Sequence, residues 1–323
     1  MSLIDASQQL LLRDLRNQRR PKILGVQDWI LSASYRVEQS PKKKNVTLLL
    51  DASTDIVEAL AHDIVRYSSA AIESAQRVEA LIDRPLASGW IIIRSYYSAY
   101  FAANSLMRLF GYFCTNIDQR HVAAIHQIAH LYEIPLPTNE KSKLASGTYS
   151  GRYITNSHNG AVVLKSLHSI GGGAHKQFWF AFKEFLDSFQ HDLSQCVLSK
   201  SQMEKARSSV KFLLSTLCQE NHPNGNWLSE IRNSVNYRLE HGAWHPYDGN
   251  QTEARELIEL ISCSFLGEPR FQVTDAKANE LSRSTDSCSY LLAWMLCSVN
   301  KISEQSNGGA KHFLKAGPLA LLR

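Results

Sequence analysis

No CxxC pair occurs among the six cysteines of this chain, which stand alone at positions 114, 196, 218, 263, 288 and 297. That scatter excludes a zinc ribbon and a dithiol redox couple, and it gives no disulfide framework. No run of about 18 apolar residues is free of charge; the best candidate, Trp90 to Phe113, carries Arg94 and Arg108, so no membrane span is expected. The opening residues, MSLIDASQQLLLRDLR, have no apolar core of the kind a secretory signal needs. Reduced thiols and a cytoplasmic location are the expectation. The chain also has no GxSxG elbow and no GxxxxGKS/T phosphate loop, which leaves hydrolase-triad and P-loop chemistry without support. No cofactor is implied.

With 323 residues, 44% of them hydrophobic, the chain can bury a substantial core. Its charge is unevenly placed. The formal net charge is +5, and residues 1–50 alone hold nine Lys and Arg against four acids, so the whole excess sits there. A basic arm favours phosphate-rich or acidic partners. Arg19, Arg20, Lys42, Lys43 and Lys44 are its candidate RNA contacts, and a merely solvated basic surface is the competing reading.

The hydrophobic pattern is mostly helical. Residues 53–83 repeat apolar positions at three and four spacing and stop before Pro85, which predicts a long amphipathic helix. Residues 88–111 are apolar nearly all round, as a helix at the centre of a bundle is, and their aromatics Tyr96, Tyr97, Tyr100 and Phe101 read as packing. Between about 114 and 173 the chain is broken by Pro, Ser-Gly and Gly-Gly-Gly around one short helical piece near 118–132, and reads as an insertion of loops and short elements. Helices are predicted over 174–192, 200–220, 251–266 and 284–302, and NVTLLLD at 45–51 is a lone strand candidate. The predicted architecture is therefore all-α: a basic arm (1–50), a bundle in two parts (51–112 and 200–266), an insertion (113–199), and C-terminal helices with a tail (267–323).

Residues 230–245, EIRNSVNYRLEHGAWH, concentrate polar chemistry. On a helix capped by Asn226, Leu228, Ile231, Val235 and Leu239 form one buried stripe. Arg232 and Asn236 then share a face, Asn233 sits one turn below Tyr237, and Arg238 one turn below His241. A guanidinium, two amides and a phenol can hold a phosphate by several directed hydrogen bonds. The bland alternative has Arg232 paired with Glu230 or a buried acid. His121, His126 and His130 include an i, i+4 pair, a spacing able to bind zinc, but no third ligand is evident. GGGAH at 171–175 reads as a hinge.

IRNSVNYR at 231–238, together with RSYYSAYFAANSLMRLFG at 94–111, resembles the HEPN superfamily of helical bundles, which includes many metal-independent ribonucleases and their inactive relatives. The likeness covers about 51–112 and 200–245. It implies a reaction in which the RNA 2′-OH attacks its own phosphate at the seam of a homodimer. Arg232 would steady the developing charge, Asn233 would orient the phosphate, and a histidine four to six positions beyond the arginine would move protons. Here that third place falls on Tyr237, Arg238 or Leu239, and His241 lies beyond it. A phenol with a pKa near 10 is a poor base at pH 7, and losing the proton carrier costs about 10²–10⁴-fold in rate. Tyr237 or His241 would have to serve, with Asn236 and Arg238 as further RNA contacts. Two functions compete: an RNA-directed endoribonuclease of a prokaryotic defence or toxin system, acting at a dimer groove, and a catalytically inactive adaptor or dimerisation protein with a protein partner. Both readings require knowing whether Arg232 and Asn233 open onto a solvent-filled cleft.

Overall fold

The structure is a computed structural model. It describes all residues except 1, 20, 23, 39–44, 80–87, 136–143, 156–159, 220, 246–253, 276 and 307. The chain opens on helix α1 (Ser2–Leu10), a 3-10 turn (Arg13–Asn17) and α2 (Val26–Ser32), followed by strands β1 (Tyr35–Glu38) and β2 (Asn45–Leu50). Two long helices, α3 (Thr54–Glu79) and α4 (Ser88–Leu109), come next. Then follow β3 (Tyr112–Ile117), α5 (Gln119–Leu131), β4 (Gly147–Ile154), β5 (Ala161–Ser166) and α6 (Gly173–Asp192). The remainder is helical: α7 (Lys200–Leu217), α8 (Trp227–Tyr237), α9 (Ala254–Ser262), α10 (Glu280–Glu304) and α11 (Phe313–Ala316).

The all-α expectation is overturned by a five-stranded antiparallel sheet of order β1-β2-β5-β4-β3, which makes the fold mixed α/β. The strand at 45–50 is not alone. Val46 pairs with Leu164 and Val37 with Leu48, so strands from the basic arm and from the segment read as an insertion build one sheet. In β4 the Ser-Gly pairs that read as chain breakers are strand residues. Tyr149, Gly151 and Tyr153 point inward, and Gly151 lies flat under the Phe113 ring, where a Cβ would come within 2.1 Å. A glycine in a strand here marks a close approach, not a turn.

The helical half follows its pattern. α4 is buried along nearly its whole length, with Ser95, Ser98, Ala99, Ala102 and Ala103 giving neighbouring helices close access. Ser98 donates to the Ala71 carbonyl of α3 at 2.8 Å. α10 crosses α4, and α8 packs against the N-terminal half of α4. Residues 305–323, an unexplained apolar end in the sequence, dock on the chain's own bundle: Gln76 of α3 donates to the Leu321 carbonyl, and Phe313 donates its backbone N–H to Gln18.

Candidate functional site around Arg232

Helix α8 follows Asn226, whose side chain makes no cap hydrogen bond, and it stops at Tyr237. Beyond that point the backbone turns left-handed at Leu239 (φ 55°) and His241 (φ 63°), a conformation that costs a non-glycine residue about 1–2 kcal/mol. Trp244 holds this turn. Its indole donates to the Val235 carbonyl at 2.7 Å and packs against Gly89, where a Cβ would lie 2.5 Å from the ring. Gly89 and Ser88 in turn donate to the Ala243 carbonyl. Arg238 and His241 are therefore not successive positions on a helix face, as their spacing predicts.

Arg232 is 4% exposed. Its guanidinium carbon lies 5.2 Å from the Tyr96 ring centre, 5.6 Å from Tyr97 and 5.7 Å from Tyr237. Among the described residues no carboxylate pairs with it, and its buried Nε has no hydrogen-bond partner. The expected open cleft is absent at this group: rings from α4 and the end of α8 enclose it. Tyr96 is the hub. Trp179 Nε1 donates to its hydroxyl at 3.1 Å, and His175 Nδ1 lies 2.8 Å away. Burial pushes the Tyr96 phenol up to about 12, against the opposing pull of Trp179, Ser229 and Arg232. With Trp179 and Arg232 donating to the oxygen, the phenol's own proton goes to His175 Nδ1. That acceptor role suits a neutral ring, and burial with Arg232 nearby holds the His175 pKa down to about 4.

The other candidates are dispersed. His241 Nε2 sits 2.8 Å from Ser234 Oγ, and its Nδ1 is 3.9 Å from Glu280 of α10, so it belongs to a different side of α8 from Arg232. Arg238 is held by Glu230 at 2.7 Å and Glu240 at 3.0 Å, which leaves no net positive charge for RNA. The pairing once assigned to Arg232 and Glu230 is thus made by Arg238. Asn233 and Asn236 are half-buried, and Tyr237 is 71% exposed with its ring edge beside the guanidinium. Arg19 is exposed. Its segment is tied by Leu12 to the Leu109 carbonyl, twelve residues along α4 from Tyr97, or roughly 18 Å at 1.5 Å per residue. Arg20, Lys42, Lys43 and Lys44 lie outside the described residues.

His175 is the residue the sequence reading missed. Three successive glycines with positive φ, 171–173, bring the chain into α6 so that His175 in its first turn reaches Tyr96. The hinge was legible; its purpose was not. His121 is no metal ligand: it is nearly buried and completes a capping box with Asp118, while His126 and His130 are exposed. No group of three potential metal ligands occurs among the described residues. No helix of the structure is long and apolar enough to cross a membrane. No family model, no curated protein and no solved structure matches this chain.

Proposed function

We propose that this chain is a HEPN-like adaptor that does not cut RNA and that docks a second copy of itself through the surface around the end of α8. The observation that carries this reading is the enclosure of Arg232 by three tyrosine rings while His241 is tied to Ser234. Transition-state stabilisation by a cation requires contact with the phosphate, and general acid–base work requires a proton carrier within hydrogen-bond reach of it. Here neither group faces the other. The guanidinium is a packing element that fixes α8 to α4 and α6.

What this region offers outward is apolar. Trp90 is 52% exposed, Leu239 64% and Tyr237 71%, and Trp90 meets Trp244 edge to face at 5.6 Å. Large apolar side chains held in the open on a backbone fixed by Trp244 and Gly89 suit the centre of a protein–protein contact. The HEPN resemblance places a dimer seam at the same helix. The test is sedimentation of the native chain and of a Trp90→Ser/Leu239→Ser variant. A native dimer that becomes monomeric in the variant supports the proposal, and a native monomer at all concentrations refutes it.

One observation favours a second reading, an RNA-directed enzyme. His175 is a neutral imidazole hydrogen-bonded to a phenol that Arg232 also reaches, so the missing proton carrier would come from α6 rather than from the motif. Under that reading RNA is degraded in EDTA, and both Arg232→Ala and His175→Ala abolish the degradation.

A further inference from the structure

A second group of buried charges lies where the helices meet the sheet, and the adaptor reading makes no use of it. A cavity of about 320 Å³ opens there between α3, α4, β3 and the start of α6. Its floor is an ion pair: Arg108, 1% exposed, sets Nε 3.0 Å from Asp63 Oδ2. The remaining guanidinium donors are committed as well, Nη1 to the Asn104 carbonyl and side chain and Nη2 to the Cys114 carbonyl. This cation is neutralised and holds the walls together. Gly25, at φ 123°, closes over the carboxylate so tightly that a Cβ would lie 2.6 Å from Asp63 Oδ1.

The walls are flat. Tyr67, Tyr100 and Phe178 line the cavity, with the Arg108 guanidinium 4.4 Å over the Tyr67 ring and Tyr100 edge-on to Phe178 at 4.5 Å. Gln27, Asn104 and Thr148 supply polar groups around the lining. Among the lining residues the charged ones are Asp63, Arg66 and Arg108. The first and last cancel. Arg66, one turn along α3, is exposed and makes no ion pair among the described residues, so the lining carries a single unbalanced positive charge.

We propose that this cavity binds a small planar aromatic anion, one or two rings bearing a carboxylate or a phosphate. The ring lies against Tyr67 and Tyr100 and the anionic group meets Arg66. The volume stands at the lower end of the range for small-molecule sites, about 300–1,000 Å³, which limits the ligand to that size. Aromatic stacking supplies contact area at little entropic cost, and a guanidinium takes either anion by paired hydrogen bonds.

The test is calorimetric titration of the full chain with indole-3-carboxylate and with uridine monophosphate, using neutral indole and inorganic phosphate as single-feature controls. The expected result is binding of at least one of the first pair, about tenfold or more tighter than either control. Arg66→Ala should weaken it by at least about tenfold, the worth of one hydrogen bond to a charged group. Ala174→Trp, which places an indole at the rim from an exposed position on α6, should abolish it. Whether the carboxylate or the phosphate probe binds assigns the anion. No binding by either probe at millimolar concentration, or binding unchanged in both variants, overturns the proposal.

Discussion

Replacing Arg232 by alanine is expected to loosen the fold rather than to stop a reaction. The guanidinium touches three rings at 5.2, 5.6 and 5.7 Å, and a desolvated cation–π contact is worth about 2 kcal/mol. Tyr96 loses a donor, worth about 1 kcal/mol. A void opens among Tyr96, Tyr97 and His175. The loss is about 3 kcal/mol, which in a 323-residue chain unfolding as one unit lowers the thermal midpoint by about 4 °C. Arg232→Met separates volume from charge. It keeps most of the packing and removes a buried cation that has no carboxylate, so it should cost about 1 kcal/mol or less. Circular dichroism melts of the three proteins decide the matter. An alanine variant that melts with the native protein, or a methionine variant that falls as far as alanine, would show that the guanidinium is not a packing element.

Three further outcomes are expected. Gly89→Ala forces a methyl to within 2.5 Å of the Trp244 ring, and should cost about 1–3 kcal/mol and raise proteolytic cleavage near residues 239–244. Asp63→Ala strands the Arg108 charge in the core, a loss of about 3–5 kcal/mol by chemical denaturation, whereas the paired Asp63→Ala/Arg108→Met variant should recover part of it. The third concerns pH. The His175 pKa is about 4 in the folded chain and 6.5 as the ordinary value, so between those values the unfolded state binds more protons and stability rises with pH. Melting points should therefore fall as pH drops from 7 toward 4, with a shallower fall in His175→Gln; His312, also lowered by burial, accounts for part of the remaining slope.

The helices were legible because each carries one period over many residues. The stretch 53–83 gave α3, 88–111 gave α4, and 174–192 gave α6 to within a residue. The sheet was hidden for a local reason. Tyr149, Gly151 and Tyr153 alternate with Ser150, Arg152 and Ile154 at the strand period, but the glycines that let Phe113 lie flat on β4 also look like turn residues. Only the partner strand, far off in sequence, tells the two apart. The site was half visible. Tyr96, Tyr97 and Arg232 were each singled out, and the structure joins them. Nothing in the sequence around residue 232 signals that the chain turns left-handed at Leu239 and carries His241 away, because that turn is imposed by Trp244 closing on Gly89. His175 was unreadable for the same cause: its role depends on α6 lying across α4.

The most direct test of an enclosed, non-cutting guanidinium is incubation of purified native chain with single-stranded RNA in EDTA, beside the Arg232→Met and His175→Ala variants. The account predicts intact RNA in every tube. Strand scission by the native protein that disappears in both variants, with their melting behaviour unchanged, would contradict it.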